Sequence, residues 1–126
     1  VVYLERLVWE DNEPMAIDKI YIEDEKFPGF ITKLSKDRSF YTILEKDYNI
    51  QPKHAVLEID GIIAQNQHAD LLKCNIGDPL FSINKISYDF EDKPIHYSST
   101  IVRCDRATYV VHTDNSNMMN TKTKSK

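Results

Sequence analysis

The stretch from Asp78 to Arg106 constrains the fold of this chain more than any other. Two runs with strand-like alternation flank Glu91-Asp92-Lys93-Pro94, a polar break of hairpin size, and together they read as a long antiparallel β-hairpin. The remaining segments are best understood as arranged around it.

The chain opens directly on a second alternating run, Val1 to Trp9, with no initiator methionine, as a fragment would. Val2, Leu4, Arg6 and Val8 share one face of this strand, and Tyr3, Glu5, Leu7 and Trp9 share the other. Neither face is purely polar, so cover on both sides is expected. Asp11-Asn12-Glu13 is a turn cluster, after which Pro14 to Glu23 resumes strand character and completes a first hairpin. Ile31 to Leu34 fits one helical turn. From Ser39 the period changes: Phe40, Ile43 and Leu44 are spaced at three and four, which predicts an amphipathic helix ended by Asn49-Ile50-Gln51-Pro52. A third strand is expected over His54 to Ala64 with a bulge at Gly61, then a short helix capped by Asn66, and a last strand over Thr108 to His112. The sum is an α+β fold: an antiparallel sheet of about six strands with helices packed to one side. No internal repeat is visible in the residues.

At 126 residues the chain is long enough for one domain, residues 1–113, followed by a polar tail, residues 114–126, that is expected to be disordered. Lys and Arg number 16 against 20 Asp and Glu, a net charge of -4 that argues against this chain itself gripping nucleic acid. No run approaches the roughly 18 apolar residues a membrane span requires, so no membrane partner is expected. Cys74 and Cys104 lack the paired spacing of a zinc or redox motif and read as free thiols of a cytoplasmic protein.

Catalytic signals are sparse. His54, His68, His96 and His112 have no metal-ligand spacing, the three glycines form no phosphate loop, and Ser98, Ser99 and Thr100 beside His96 read as hydroxyls on a half-exposed strand. No catalytic residue, metal or cofactor is expected. More informative are Arg6 and Asp18, charges set among apolar strand residues, because a charge is costly to bury unless it is paired or bound. They form either a structural pair across the first hairpin or part of a polar ligand site on one sheet face, and spacing alone leaves both open.

Several motifs together carry a resemblance: Leu4-Glu5-Arg6-Leu7 with Asn12-Glu13-Pro14-Met15-Ala16-Ile17, Ser39-Phe40-Tyr41 to Leu44, Ala69-Asp70-Leu71-Leu72, Gly77-Asp78-Pro79-Leu80, Ile86-Ser87-Tyr88-Asp89, Lys93-Pro94-Ile95-His96-Tyr97-Ser98, and Arg103-Cys104-Asp105-Arg106-Ala107-Thr108-Tyr109. In order and spacing they closely resemble the UTRA domain, the effector-binding domain of the HutC subfamily of GntR-type bacterial transcription regulators. The resemblance implies a chorismate-lyase-like fold, no catalysis, and a small-molecule effector whose binding changes the DNA affinity of an N-terminal winged helix-turn-helix. It implies a homodimer, with DNA contacted only through that N-terminal domain, which this chain lacks together with the domain's opening strand. Carried over from sugar-phosphate-binding members, the pocket residues would be Arg6, Asp18, Ser39, Tyr41, His96 and Val102.

This chain departs from those relatives at three of the implied positions. Their second arginine, two residues after the first, is Val8 here; their glutamate is His96; their tyrosine is Val102. Losing one guanidinium removes about 1.5–3 kcal/mol of charge-assisted hydrogen bonding. A carboxylate, or a phosphorylated sugar held with fewer contacts, is the expected effector. The alternatives are a ligand-free dimerisation module and a chorismate-lyase-like enzyme, since fold does not fix function.

Overall fold

The computed structural model describes residues 1–34 and 40–114. Its elements are β1 (Val2–Glu10), β2 (Glu13–Ile22), α1 (Phe30–Leu34), α2 (Phe40–Tyr48), β3 (His54–Ile63), α3 (Asn66–Leu72), β4 (Pro79–Tyr88) and β5 (Pro94–Arg103), with a 3-10 turn at Cys104–Arg106.

Turn chemistry sets both hairpins. Between β1 and β2, Asp11 and Asn12 take φ of 51° and 63°, the consecutive left-handed pair that a two-residue hairpin turn requires and that Asp and Asn tolerate. Between β4 and β5 the Asp89 carboxylate accepts the backbone N–H groups of Glu91 at 2.8 Å and Lys93 at 3.0 Å, folding the break back on itself. The hairpins join through an antiparallel β2–β5 ladder, giving the order β1-β2-β5-β4-β3.

The register of the two hairpins is the same, so the sheet contains a repeat that the residue types conceal. Arg6 faces Asp18 as Lys85 faces Ser98, Val8 faces Ala16 as Ser87 faces His96, and the ladder slips after Val8 in one and after Ser87 in the other. The relating two-fold passes through the Lys19–Ser99 pair, where β2 meets β5. Gly61, the expected bulge, pairs regularly with Phe81.

Five strands are present among the described residues rather than about six. Thr108 to His112 belongs to no ladder. Arg103 pairs with Asp105 at 2.7 Å and Arg106 pairs with Glu13, and these contacts fix the 3-10 turn that leads the chain off the sheet. The N-cap of α3 is Gln65 rather than Asn66: His68 Nδ1 accepts the Gln65 N–H at 3.1 Å.

Helices lie on both faces, not on one. The cause is β2, whose Ile20 and Ile22 point one way and Ile17 the other, so both faces need apolar cover. Ile20 and Ile22 pack with Phe27, Phe30, Leu34, Ile43 and Leu44 beneath α1 and α2, while Ile17 packs with Leu72, Leu80 and Ala64 beneath α3. A third cluster, Ala16, Ile83 and Val102, sits on the α1/α2 face at the other end of the sheet. The strand positions between this cluster and the helices carry Arg6, Asp18, Ser98, Thr100 and Lys85.

Candidate functional site

Period-two alternation places Arg6 of β1, Asp18 of β2, His96, Ser98 and Thr100 of β5, and Lys85 of β4 on one face. The start of α2 brings Phe40 and Tyr41 over them. Together with Ile20 these residues line an open hollow of about 230 Å³. Its floor is polar because the two apolar clusters on this face stop short of each other.

The Asp18 carboxylate is the best-connected group in the hollow. It accepts from Arg6 Nη2 at 3.1 Å and from the Thr100 hydroxyl at 2.9 Å. Asp18 and Arg6 are also directly opposed across the first hairpin, so the pair expected from sequence is formed and stands inside the hollow at the same time. Its side chains are 15% and 42% exposed, so Asp18 is held down while the guanidinium reaches solvent and keeps donors free for a ligand.

His96 forms the opposite wall. It is 7% exposed, its ring lies 4.1 Å from the ring of Phe40, and Nδ1 pairs with the buried Ser87 hydroxyl. Burial, and secondarily the Lys85 ammonium, push its pKa down to about 4, with Asp18 opposing the shift. The imidazole is therefore neutral near pH 7. Lys85 Nζ sits 4.8 Å from the centre of the Tyr41 ring, a cation–π contact across the mouth of the hollow.

Of the six residues expected from sequence, Arg6, Asp18, Tyr41 and His96 converge on this hollow. Val102 shares their sheet face but is buried one strand repeat beyond Thr100, against Ala16 and Ile83. Ser39 lies outside the described residues. Sequence reasoning missed Ser98 and Thr100, which a period of two from His96 would have found, and Lys85, which needed the β4–β5 register. Among the described residues no group of His, Cys, Asp and Glu could hold a metal ion, and no helix is long and apolar enough to cross a membrane.

The UTRA domain family matches residues 1–108. The chain is 30% identical over 112 residues to the uncharacterized HTH-type transcriptional regulator YurK of Bacillus subtilis, covering 89% of this chain and 46% of the relative. It is 32% identical over 111 residues to the probable fructoselysine utilization operon transcriptional repressor of Escherichia coli, covering 88% and 46%. Among solved structures, the C-terminal domain of YurK superposes with a TM-score of 0.77 at 28% identity, covering 88% of this chain and 77% of that one. PhnF from Mycobacterium smegmatis superposes with a TM-score of 0.82 at 24% identity, over 90% and 50%, and at that identity shows the fold alone. The chain spans about half the length of the curated relatives it matches. With the family match running from the first strand past the last, and the same α+β sheet in its structural neighbours, this chain belongs to the UTRA domain family.

Proposed function

We propose that this domain senses a small polar or anionic metabolite in the hollow between Arg6 and His96, and that binding alters the operator affinity of a winged helix-turn-helix elsewhere in a homodimeric cytoplasmic regulator. One observation carries the reading: charged and hydroxyl groups from four strands and one helix converge on a solvent-open hollow instead of being buried with apolar neighbours. Arg6 and Asp18 supply donors and an acceptor for ligand hydroxyl or amine groups, Ser98 and Thr100 add hydroxyls, and Tyr41 can close over the ligand. The names of the relatives agree with a regulatory role: a transcriptional regulator and a repressor.

An enzyme of the chorismate-lyase kind would need cations for two substrate carboxylates. The hollow offers Lys85, while Arg6 is already neutralised by Asp18.

Thermal-shift screening against sugars, amino sugars, their phosphates and small carboxylates tests the proposal. A ligand at 100 times its Kd adds about 2.7 kcal/mol, which raises Tm by several degrees. The shift should vanish in Asp18→Asn. A panel that leaves Tm unmoved throughout favours the ligand-free dimerisation module.

A further inference from the structure

The two-fold repeat puts Arg6 and Lys85 at equivalent places in the two hairpins, yet their cross-strand partners differ. Arg6 faces Asp18 and is neutralised by it at 3.1 Å. Lys85 faces Ser98, which is neutral, and no carboxylate among the described residues forms an ion pair with it. Of the charged groups lining the hollow, Arg6 and Asp18 cancel, so Lys85 carries its net positive charge. The surroundings of Lys85 suit an anion: the Ser98 hydroxyl lies directly across the ladder, the His96 ring is close enough for the ammonium to depress its pKa, and the Tyr41 ring holds the lysine at the mouth. Neutral hydrogen-bonding groups around a cation that no carboxylate among the described residues pairs with suit an anion, since the Asp18 carboxylate in the same hollow is already matched by Arg6.

We propose that Lys85, not Arg6, holds the anionic group of the ligand, and that the Arg6–Asp18 pair reads its neutral hydroxyl or amine groups. This rests on the hollow being the ligand site. It assigns ligand polarity: the phosphate or carboxylate lies at the His96 end and the uncharged polar end lies over Asp18. Lys85 is thus the residue that selects anionic over neutral ligands.

Inorganic phosphate, titrated at constant ionic strength into the domain and followed by backbone amide shifts, tests it. Lys85→Gln should weaken phosphate binding by about tenfold, the loss expected of one charge-assisted hydrogen bond, while Lys85→Arg retains most of it. The double variant Arg6→Gln/Asp18→Asn, which leaves the net charge unchanged, should lose less phosphate affinity than Lys85→Gln does. Lys85→Arg also guards against a folding defect, since it keeps stem and charge. Phosphate binding that survives Lys85→Gln and disappears in the double variant overturns the assignment, as does wild-type protein that binds no phosphate. In that last case a neutral sugar that raises Tm in the ligand screen keeps the hollow as the ligand site and sinks only the role of Lys85.

Discussion

The two hairpins share a backbone and differ in chemistry. In β1–β2 the central cross-strand pair is Arg6–Asp18, a closed ion pair tied to Thr100; in β4–β5 the equivalent pair is Lys85–Ser98, with the cation left open. One step further along, β1–β2 has Val8 facing Ala16, while β4–β5 has Ser87 facing a buried His96. One backbone device therefore serves two ends: the first hairpin is electrostatically closed, and the second keeps a charge and a titratable ring. The asymmetry between the hairpins lies in their side chains, while the register of the frame is the same.

The largest difference should appear in acid. The folded-state pKa of His96 lies below its ordinary 6.5, at about 4, so the unfolded chain binds more protons between these values. Its contribution to stability is complete above pH 6.5 and is lost as pH falls toward 4. The loss should reach about 3 kcal/mol, since one pKa unit corresponds to about 1.4 kcal/mol. Urea denaturation of wild type and His96→Gln across that window measures it. The variant should lack this component, and a wild-type stability no steeper than the variant's would show that His96 does not stay neutral in the fold.

Next in size is the ion pair. Asp18→Ala strands the Thr100 hydroxyl and a half-exposed guanidinium, and should cost about 1–2 kcal/mol after allowance for solvent screening. Ser98→Ala, the same truncation in the other hairpin, should cost no more than about 0.5 kcal/mol. Equal costs in chemical denaturation would mean that the two pairs do not differ as described. Converting one hairpin into the other is a sharper probe: Ser98→Asp places a carboxylate across from Lys85 and should lower phosphate affinity by about tenfold with little loss of stability. The turns carry an effect of their own. Asn12→Ala forces a Cβ-bearing residue without side-chain hydrogen bonding to hold φ of 63°, and should cost about 1 kcal/mol, whereas Asn12→Gly should be neutral or slightly stabilising.

Much of the frame was legible in the residues because hairpins are local. Alternation located β1, β2, β4 and β5, the Asp11-Asn12-Glu13 cluster and the polar break Glu91 to Pro94 marked the two hairpin turns, and an Arg6–Asp18 pair across the first hairpin was one of the two readings that spacing left open. The helix around Phe40–Tyr48 followed from spacing at three and four. The structural repeat was illegible because what repeats is register, and equivalent positions carry Arg6 and Lys85, Asp18 and Ser98, Ala16 and His96. Placing helices on one side failed because the apolar residues of β2 occupy both parities, which sends α3 to the face opposite α1 and α2. The expected strand at Thr108 to His112 does not form because the chain turns off the sheet at Cys104–Arg106, where Arg106 pairs with Glu13 of β2, a contact distant in sequence.

In the site, charged residues on apolar strands stood out, so Arg6 and Asp18 were visible early. Ser98 and Thr100 were noticed for their proximity to His96 but read as surface hydroxyls. Lys85 was invisible because a lysine on a half-exposed strand is ordinary until the register shows what faces it. Val102 lies on the expected face, one step too deep to touch the hollow.

An amide chemical-shift map of the domain with whichever metabolite raises Tm most tests the ligand site most directly. The largest perturbations should fall on Asp18, Tyr41, Lys85, His96, Ser98 and Thr100, on the face beneath α2. Perturbations centred instead on Ile17, Leu72 and Leu80 beneath α3, with the first set unmoved, would place the ligand on the other face and contradict the site.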